Sequence, residues 1–319
     1  MNYKGVIIYN PAAGPWEVQG LLKRLAQTLR QESGWTLELV QTAQAGDAIV
    51  LAQDATRARC DLVLAAGGDG TVNEVANGLS GSDTILGIVP VGTGNILARQ
   101  LHMPGVSVVT PTLSVDTLAQ TLMRSRIQRV DVGRANGARF VAYGGVGFDA
   151  EVIQQMEPRP KHLKRLGIWP YVVASFMIAA DFRGAKTRIT VEGGKRFNAR
   201  VIMAIATNIQ HYGAFNVARQ ARMDDGLLDI FIFRGMGFRY TFRHFLRLWS
   251  GRHLSDPEII QIIARRVELQ TTPPQSVQVD GEQRGKTPVV FDLEPGTLRL
   301  LVPPQAPPTL FSLPPEAYL

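Results

Sequence analysis

The sequence predicts an α/β domain with a doubly wound parallel sheet, followed by a mainly antiparallel β domain. Three observations carry that prediction. Short apolar runs alternate with helical patterns as far as residue 124, closely spaced strands take over from residue 128, and small-residue turns follow the early strands.

KGVIIYN (4–10) reads as a buried strand ending in the turn PAAG, after which Leu21, Leu22, Leu25, Ala26 and Leu29 recur at helical spacing. WTLELVQ (35–41) alternates like a strand, and 46–58 is helical. DLVLAA (61–66) is a third strand, 71–79 a helix, ILGIVP (85–90) a fourth strand and 114–124 a helix. Strands alternating with helices imply parallel crossover units, in which ligands bind beyond the carboxyl ends of the strands.

From QRVDVG onward the chain reads as strands: ARFVAYGGVGF, TRITVEG, RFNARVIMAIATN, LLDIFIFRG, SVQVDGE, TPVVFDL and TLRLLVP, with helices only at 161–181 and 237–250. The closing VPPQAPPTLFSLPPEAYL holds six prolines and reads as an extended strap or a loose tail. The expected domains are therefore 1–128, 129–302 and a tail, 303–319, packing back on the first.

A chain of 319 residues can bury two cores, and its 45% apolar and 19% charged residues are those of a globular protein. A net charge of +7 favours anionic partners, whether nucleotide, nucleic acid or anionic lipid, and alone chooses none of them. Cys60, the single cysteine, excludes an intramolecular disulfide, suits a reducing compartment and reads as a small buried hydrophobe. The opening MNYKGVIIYNPAAG lacks the apolar h-region of a signal peptide. The longest uncharged apolar-rich run, Leu166–Ala180, contains Pro170 and falls short of the about 20 residues of a spanning helix. The expectation is a protein that is soluble or rests on a membrane without crossing it.

Gly67, Gly68 and Gly70 end the third strand and open a helix. Backbone N–H groups can approach an anion there without a Cβ in the way, and the helix start adds unpaired donors and a positive dipole end. Alone, such a segment is also an ordinary tight turn. It is neither a Walker loop nor a dinucleotide fingerprint, because both spacings are missing.

Its companions narrow the reading. GGDGTVNEVANGL (67–79), NPAAG (10–14) and PVGTGN (90–95) are three small-residue turns at strand ends of one sheet. GVGFDA (145–150), MDDGLLDI (223–230) and VQVDGE (277–282) follow in order. With these six motifs nearly the whole chain resembles the diacylglycerol kinase catalytic-domain family. That family comprises bacterial lipid kinases, sphingosine kinases and ceramide kinases, and is related in fold to NAD kinase and phosphofructokinase. GGDGT is shared with NAD kinase; DDGLLD and VDGE are what point to lipid kinases.

The resemblance implies a nucleotide-binding first domain, a lipid-substrate second domain, and ATP and Mg²⁺ as cofactors. Asn10, Pro11, Ala12, Ala13, Gly14, Thr42, Gly67, Gly68, Asp69, Gly70, Thr71, Val72, Asn73 and Thr93 correspond to nucleotide-contacting positions. Hydroxyls, an amide and bare backbone can bind phosphate oxygens where no lysine-bearing loop exists. Asp69 could hold Mg²⁺, or could be a turn-forming Asx residue. By resemblance Glu282 is the general base and Asp280 stands beside it, although DGE read locally is a hairpin turn. A structural Mg²⁺ maps to Asp225, with backbone oxygen from Arg222 and Leu227. One departure stands out. Many bacterial members have Asp after the Asn of the GT-x-N turn, where this chain has Ile96. Only the positions matching Asp69 and Asp131 remain of that carboxylate network, so its metal arrangement is expected to be altered while catalysis survives.

RGMGFRYTFRHFLRLWSGRH (234–253), read as a helix, sets Arg239, Arg243 and Arg247 on one face and Phe238, Phe242, Phe245, Leu246 and Trp249 on another. This is the pattern of an interfacial helix, and equally of a core-facing helix with a solvated basic side. RPKHLKRLGIWPYV (159–172) is a second basic segment ahead of aromatics. The expected function is ATP-dependent transfer of phosphate to a lipid hydroxyl at a membrane surface, cytoplasmic and peripheral to the inner face. A homodimer is left open and no nucleic acid is expected. The rivals are an NAD kinase and a catalytically weak lipid- or nucleotide-binding regulator.

Overall fold

The computed structural model of the protein describes residues 2–13, 18–92, 94–105, 114–156, 182–213 and 215–319, with the side chains of 153–156 excepted. The segments expected at 161–181 and 159–172, the run Leu166–Ala180, and Gly14 and Thr93 lie outside the described residues. By contacts the chain divides into two units. One comprises Met1–Val132, Met223–Asp225 and Pro295–Leu319; the other comprises Gly133–Arg222 and Gly226–Glu294. The sequence expectation cut the chain at 128 and 302; the contact boundaries fall at 132 and 294, and a three-residue excursion joins the first unit.

In the first unit β1 (Lys4–Tyr9), β2 (Thr36–Gln41), β3 (Leu62–Gly67) and β4 (Ile85–Pro90) alternate with α1 (Val18–Ser33), α2 (Asp47–Arg57), α3 (Asp69–Leu79), α4 (Ile96–Gln100) and α5 (Val115–Met123). All pairs are parallel, in the order β2–β1–β3–β4. Every residue of β3 and β4 is buried, as continuous apolar runs covered on both faces must be. α1 turns Leu22, Leu25 and Leu29 inward at i, i+3 and i+7. Cys60, just ahead of β3, is buried and free.

β5 (Arg126–Ala135) and β17 (Val289–Val302) each run from one unit into the other. The end of β17 adds to the parallel sheet, Arg299 and Leu300 opposite Ile85 and Leu86. The proline-rich tail ends in β18 (Ala317–Tyr318), antiparallel to the start of β5. Leu310 is fully buried, and Glu316 accepts from Arg129 at 2.5 Å and Arg299 at 2.7 Å. Asp224 receives Gln128 Nε2 at 3.0 Å and the backbone N–H groups of Ser312 at 2.5 Å and Leu313 at 3.0 Å.

The second unit holds β6 (Ala138–Phe140), β7 (Tyr143–Gly147), α6 (Phe148–Met156), β8 (Ala185–Val191), β9 (Arg196–Thr207), the short pair β10 (His211–Tyr212) and β11 (Phe215–Asn216), and β12 (Leu228–Arg234). α7 (Gly237–Trp249), β13 (Ile259–Ala264), β14 (Arg266–Thr272), β15 (Ser276–Val279) and β16 (Glu282–Lys286) follow. Its ladders are antiparallel: β9 pairs with β7, β8 and β12, β15 joins β7 to β16, and β14 joins β8 to the start of β17. Phe140, Val146, Ile189, Ile230, Val267 and Phe291 share one core. The architecture is an α/β unit and a β-rich unit. The continuous strand expected over 138–148 is instead two short strands and the start of α6, broken at Val141 and Ala142.

Candidate functional site

The parallel register brings the turns of the first unit to one edge. Tyr9 lies opposite Gln41 and Ala66, and Gly67 opposite Pro90, so the segments after β1, β2, β3 and β4 leave the sheet side by side. Asn10 shapes the first turn: its Oδ1 accepts the Ala12 N–H at 2.9 Å and its carbonyl accepts the Ala13 N–H at 3.1 Å. Pro11 and Ala12 are exposed there. Thr42 is buried after β2, its N–H donating to the Tyr9 carbonyl at 3.0 Å.

The turns after β3 and β4 touch. The Gly92 N–H donates to the Gly67 carbonyl at 3.1 Å, and a Cβ on Gly92 would collide with the Gly68 backbone. A Cβ on Gly94 would strike the Asp69 carboxylate. Gly68 differs: its φ is −90° and a Cβ there would find only the Gly92 Cα, at 3.8 Å. The fold therefore has room for a Cβ at Gly68.

Gly68 is also the N-cap of α3, and no side chain caps that helix. The Asp69 N–H is met by its own carboxylate, and the next two N–H groups, at Gly70 and Thr71, stand at the positive end of the helix. Thr71, Val72 and Asn73 are buried in the first turns of α3. Asn73 receives Asn77 Nδ2 on its Oδ1 at 3.0 Å, and Glu74 accepts the Gly46 and Ala48 N–H groups at 2.9 and 3.2 Å, capping α2.

Asp69 reaches across to α4, its Oδ1 accepting the Ile96 N–H at 2.5 Å. Burial pushes its carboxyl up, against the backbone N–H groups of Ile96 and Asn95, which pull it down. Ile96 meets the Asp69 carboxylate through its main chain alone. Asp131 accepts the Gly296 N–H at 2.7 Å.

In the second unit Glu282 begins β16, immediately after the turn at Asp280 and Gly281. It is half-buried, with Arg284 Nη2 2.5 Å from its Oε2. Asp280 adopts φ +45° and its carboxylate faces inward, accepting the N–H groups of Val141 at 2.8 Å, Ala142 at 3.1 Å and Tyr143 at 2.9 Å. Behind the turn, Gln278 Oε1 accepts the Gly281 N–H at 2.9 Å while its Nε2 donates to Asp149 Oδ2 at 3.0 Å. The Tyr212 hydroxyl donates to the same oxygen at 2.6 Å. Burial raises the Asp149 carboxyl above its ordinary range, and the two donors oppose that rise. Gln278 lies inside the VQVDGE motif and Asp149 inside GVGFDA, but Tyr212 carries no motif signal and meets Asp149 from 63 positions away.

Arg222, Asp225 and Leu227 lie on the loop before β12, Arg222 exposed and the other two half-buried. Its first aspartate, Asp224, is engaged by the tail as described. Among the described residues no three His, Cys, Asp or Glu side chains converge as a metal-holding group. A Mg²⁺ held by one carboxylate, main-chain oxygens and water needs no such group.

Comparison with known proteins completes the picture. The family described as the diacylglycerol kinase catalytic domain matches residues 4–135. The one described as the YegS C-terminal NAD kinase beta sandwich-like domain matches residues 142–302. A diacylglycerol kinase of Bacillus subtilis is 30% identical over 290 residues, covering 89% of this chain and 91% of that protein. One from Staphylococcus aureus (strain MRSA252) is 26% identical over 295 residues, covering 91% and 90%. A crystal structure of a diacylglycerol kinase from Bacillus anthracis superposes with a TM-score of 0.69 at 22% identity, covering 96% of this chain and 98% of that one. A further structure from that organism reaches 0.78 at 23% identity, covering 96% and 98%. The chain belongs to the diacylglycerol kinase catalytic-domain family of bacterial lipid kinases, and its activity is of the kinase type.

Proposed function

We propose that the protein transfers the γ-phosphate of ATP to the hydroxyl of diacylglycerol or a related lipid alcohol, acting in the cytoplasm at the inner face of a membrane. The observation that carries this reading is the gathering of small-residue turns at one sheet edge around the uncapped start of α3. Backbone N–H groups at Gly70 and Thr71 suit phosphate oxygens, and Asn10 to Ala13, Thr42, Val72 and Asn73 belong to the turns and helix start at the same edge. Gly14 and Thr93 complete the set by sequence. Bound Mg²⁺ supplies neutralisation of phosphate charge; Asp69 is the residue of this edge that would hold it, and Asp225, with the main-chain oxygens of Arg222 and Leu227, would hold a structural ion.

Glu282 is the base in this proposal. Phosphoryl transfer requires mainly positioning and charge neutralisation, plus an acceptor for the nucleophile's proton. Its carboxylate sits at the start of a strand whose turn is tied down through Asp280 and Gln278, which fits a group that must be held still. Asp280, its oxygens engaged by three backbone donors, serves as the clamp of that turn.

The test is incubation with labelled ATP, Mg²⁺ and either diacylglycerol, a total lipid extract or NAD. Labelled lipid is the expected product. Label on NAD alone, or nucleotide binding without transfer to any acceptor, overturns the reading.

A further inference from the structure

Most surface helices bury their apolar stripe; α7 half-buries Phe245, which packs on Phe215, but leaves the rest of its stripe exposed. Phe238, Phe242, Leu246 and Trp249 fall at successive turns on one side and are 46%, 39%, 48% and 74% exposed. The residue α7 buries is His244, 3% exposed, whose Nε2 meets the Arg234 carbonyl at 2.7 Å. Phe238 and Phe242 stack on each other, 5.8 Å between centroids, and Met236 extends the apolar stripe at the helix start. One side of the helix, through His244 and Phe245, packs on Phe233 and Phe215, and the other side carries the exposed stripe. An exposed aromatic and aliphatic stripe of this size marks an interaction surface.

Beside the stripe runs a shallow groove of about 360 Å³ lined by Arg239, Phe242, Arg243, Leu246, Arg247 and Arg252. Two of the four arginines share one carboxylate. Asp256, buried, receives Arg243 through Nε at 2.9 Å and Nη2 at 2.6 Å, and Arg247 Nε at 3.3 Å. The side chains of Arg239 and Arg252 make no ion pair among the described residues, and no acidic side chain lines the groove itself. The sequence pattern treated Arg239, Arg243 and Arg247 alike; the structure divides them, two held in place by Asp256 and one, joined by Arg252, unpaired.

We propose that α7 docks on an anionic phospholipid bilayer, with Phe238, Phe242, Leu246 and Trp249 entering the headgroup boundary and the arginine groove receiving lipid phosphate. The inference rests on the lipid-kinase reading above, which requires access to a membrane-embedded hydroxyl. Charge complementarity selects the partner. A cationic groove adjoining a stripe of Phe, Leu and Trp is the composition that binds interfaces through apolar insertion combined with attraction to anionic lipid. Trp249, the most exposed of the four, has the amphipathic ring that favours the headgroup level.

Two variants of the full chain test this: Arg239→Gln with Arg252→Gln, which spares the ion pairs to Asp256, and Phe242→Ser with Trp249→Ser. Sedimentation is measured with vesicles of phosphatidylcholine alone and with 30% phosphatidylglycerol, alongside melting temperature, oligomeric state and ATP binding. The parent should favour the anionic vesicles, and each variant should lose roughly tenfold or more in vesicle affinity, with melting and ATP binding unchanged. Vesicle affinity that is equal for parent and variants, or equal for the two lipid compositions, overturns the proposal. So does a parent dimer that the Phe242 and Trp249 changes dissociate without altering vesicle binding, since the stripe is then a contact between copies of the chain. Anionic-vesicle binding lost in the variants, in a protein that phosphorylates no lipid, sustains the docking surface and removes only the lipid-kinase reading.

Discussion

Asp280 and Tyr143 exchange hydrogen bonds: the Asp280 N–H donates to the Tyr143 carbonyl at 2.9 Å, and the Tyr143 N–H returns to Asp280 Oδ1 at 2.9 Å. With Val141 and Ala142 also donating to the same carboxylate, the aspartate fixes the entry to β7 and the turn before Glu282 together. Removing the carboxylate leaves three donors in a buried stretch without their acceptor, each costing on the order of 1 kcal/mol or more. Asp280→Ala should therefore lower stability by about 3 kcal/mol, visible as a lower denaturant midpoint, and should reduce lipid phosphorylation as the hairpin loosens. A variant as stable as the parent but inactive would move Asp280 from clamp to chemistry.

Asp149 should make stability fall as pH rises. Burial raises its folded-state pKa above the unfolded value of about 3.9, so between those two values the folded state holds more protons than the unfolded one. The contribution is present in full below about pH 4 and is lost as pH climbs through the raised value. Asp149→Asn keeps an oxygen for Tyr212 and Gln278 and does not titrate. Its melting temperature should gain on the parent as pH rises above about 4; a difference independent of pH would show the carboxyl unperturbed.

Gly68 separates ligand from fold. Because a Cβ there meets nothing nearer than 3.8 Å and φ is −90°, Gly68→Asp should fold with a near-parental melting temperature. Its carboxylate would stand at the start of α3, where phosphate is proposed to sit, and repulsion should cut ATP affinity by about tenfold or more. Unchanged affinity by calorimetry would place the phosphates elsewhere.

What the sequence revealed follows from how local each signal is. β3 and β4 are contiguous apolar runs with every residue buried, and their turns are rich in glycine, so both strands and turns show themselves within a dozen residues. β14 alternates as a strand should, Val267, Leu269 and Thr271 inward, but only two of its seven residues are apolar, so its period-two signal is weak. α6 escaped because its first residues complete the GVGFDA motif and extend an apolar strand pattern, although Asp149 and Glu151 in its first turn are a helix-start signal. The contacts that shape the candidate sites are long-range: Asp69 to Ile96 spans 27 positions, Gln278 to Asp149 spans 129, and Asp224 to Leu313 spans 89. No periodicity encodes such pairs. The division of arginines on α7 is hidden likewise, because it depends on Asp256, beyond the helix end.

Glu282 carries the sharpest prediction. Glu282→Gln preserves size and hydrogen-bonding capacity but cannot take a proton, and a general base contributes about 10²–10⁴-fold in rate. The variant should bind Mg-ATP and vesicles as the parent does while phosphorylating lipid at least about a hundredfold more slowly. Its melting temperature should change little, because the Arg284 partner is an exposed ion pair and such pairs contribute roughly 0–1 kcal/mol. Arg284→Gln gives the control: it removes the same ion pair and leaves the carboxylate. If the pair matters only structurally, the two variants lose activity equally and in step with stability. If Glu282 accepts the proton, Arg284→Gln retains most turnover and Glu282→Gln does not. Near-parental turnover in a well-folded Glu282→Gln protein would end the case for Glu282 as base and make Asp280, its carboxylate held by three backbone donors, the next group to test.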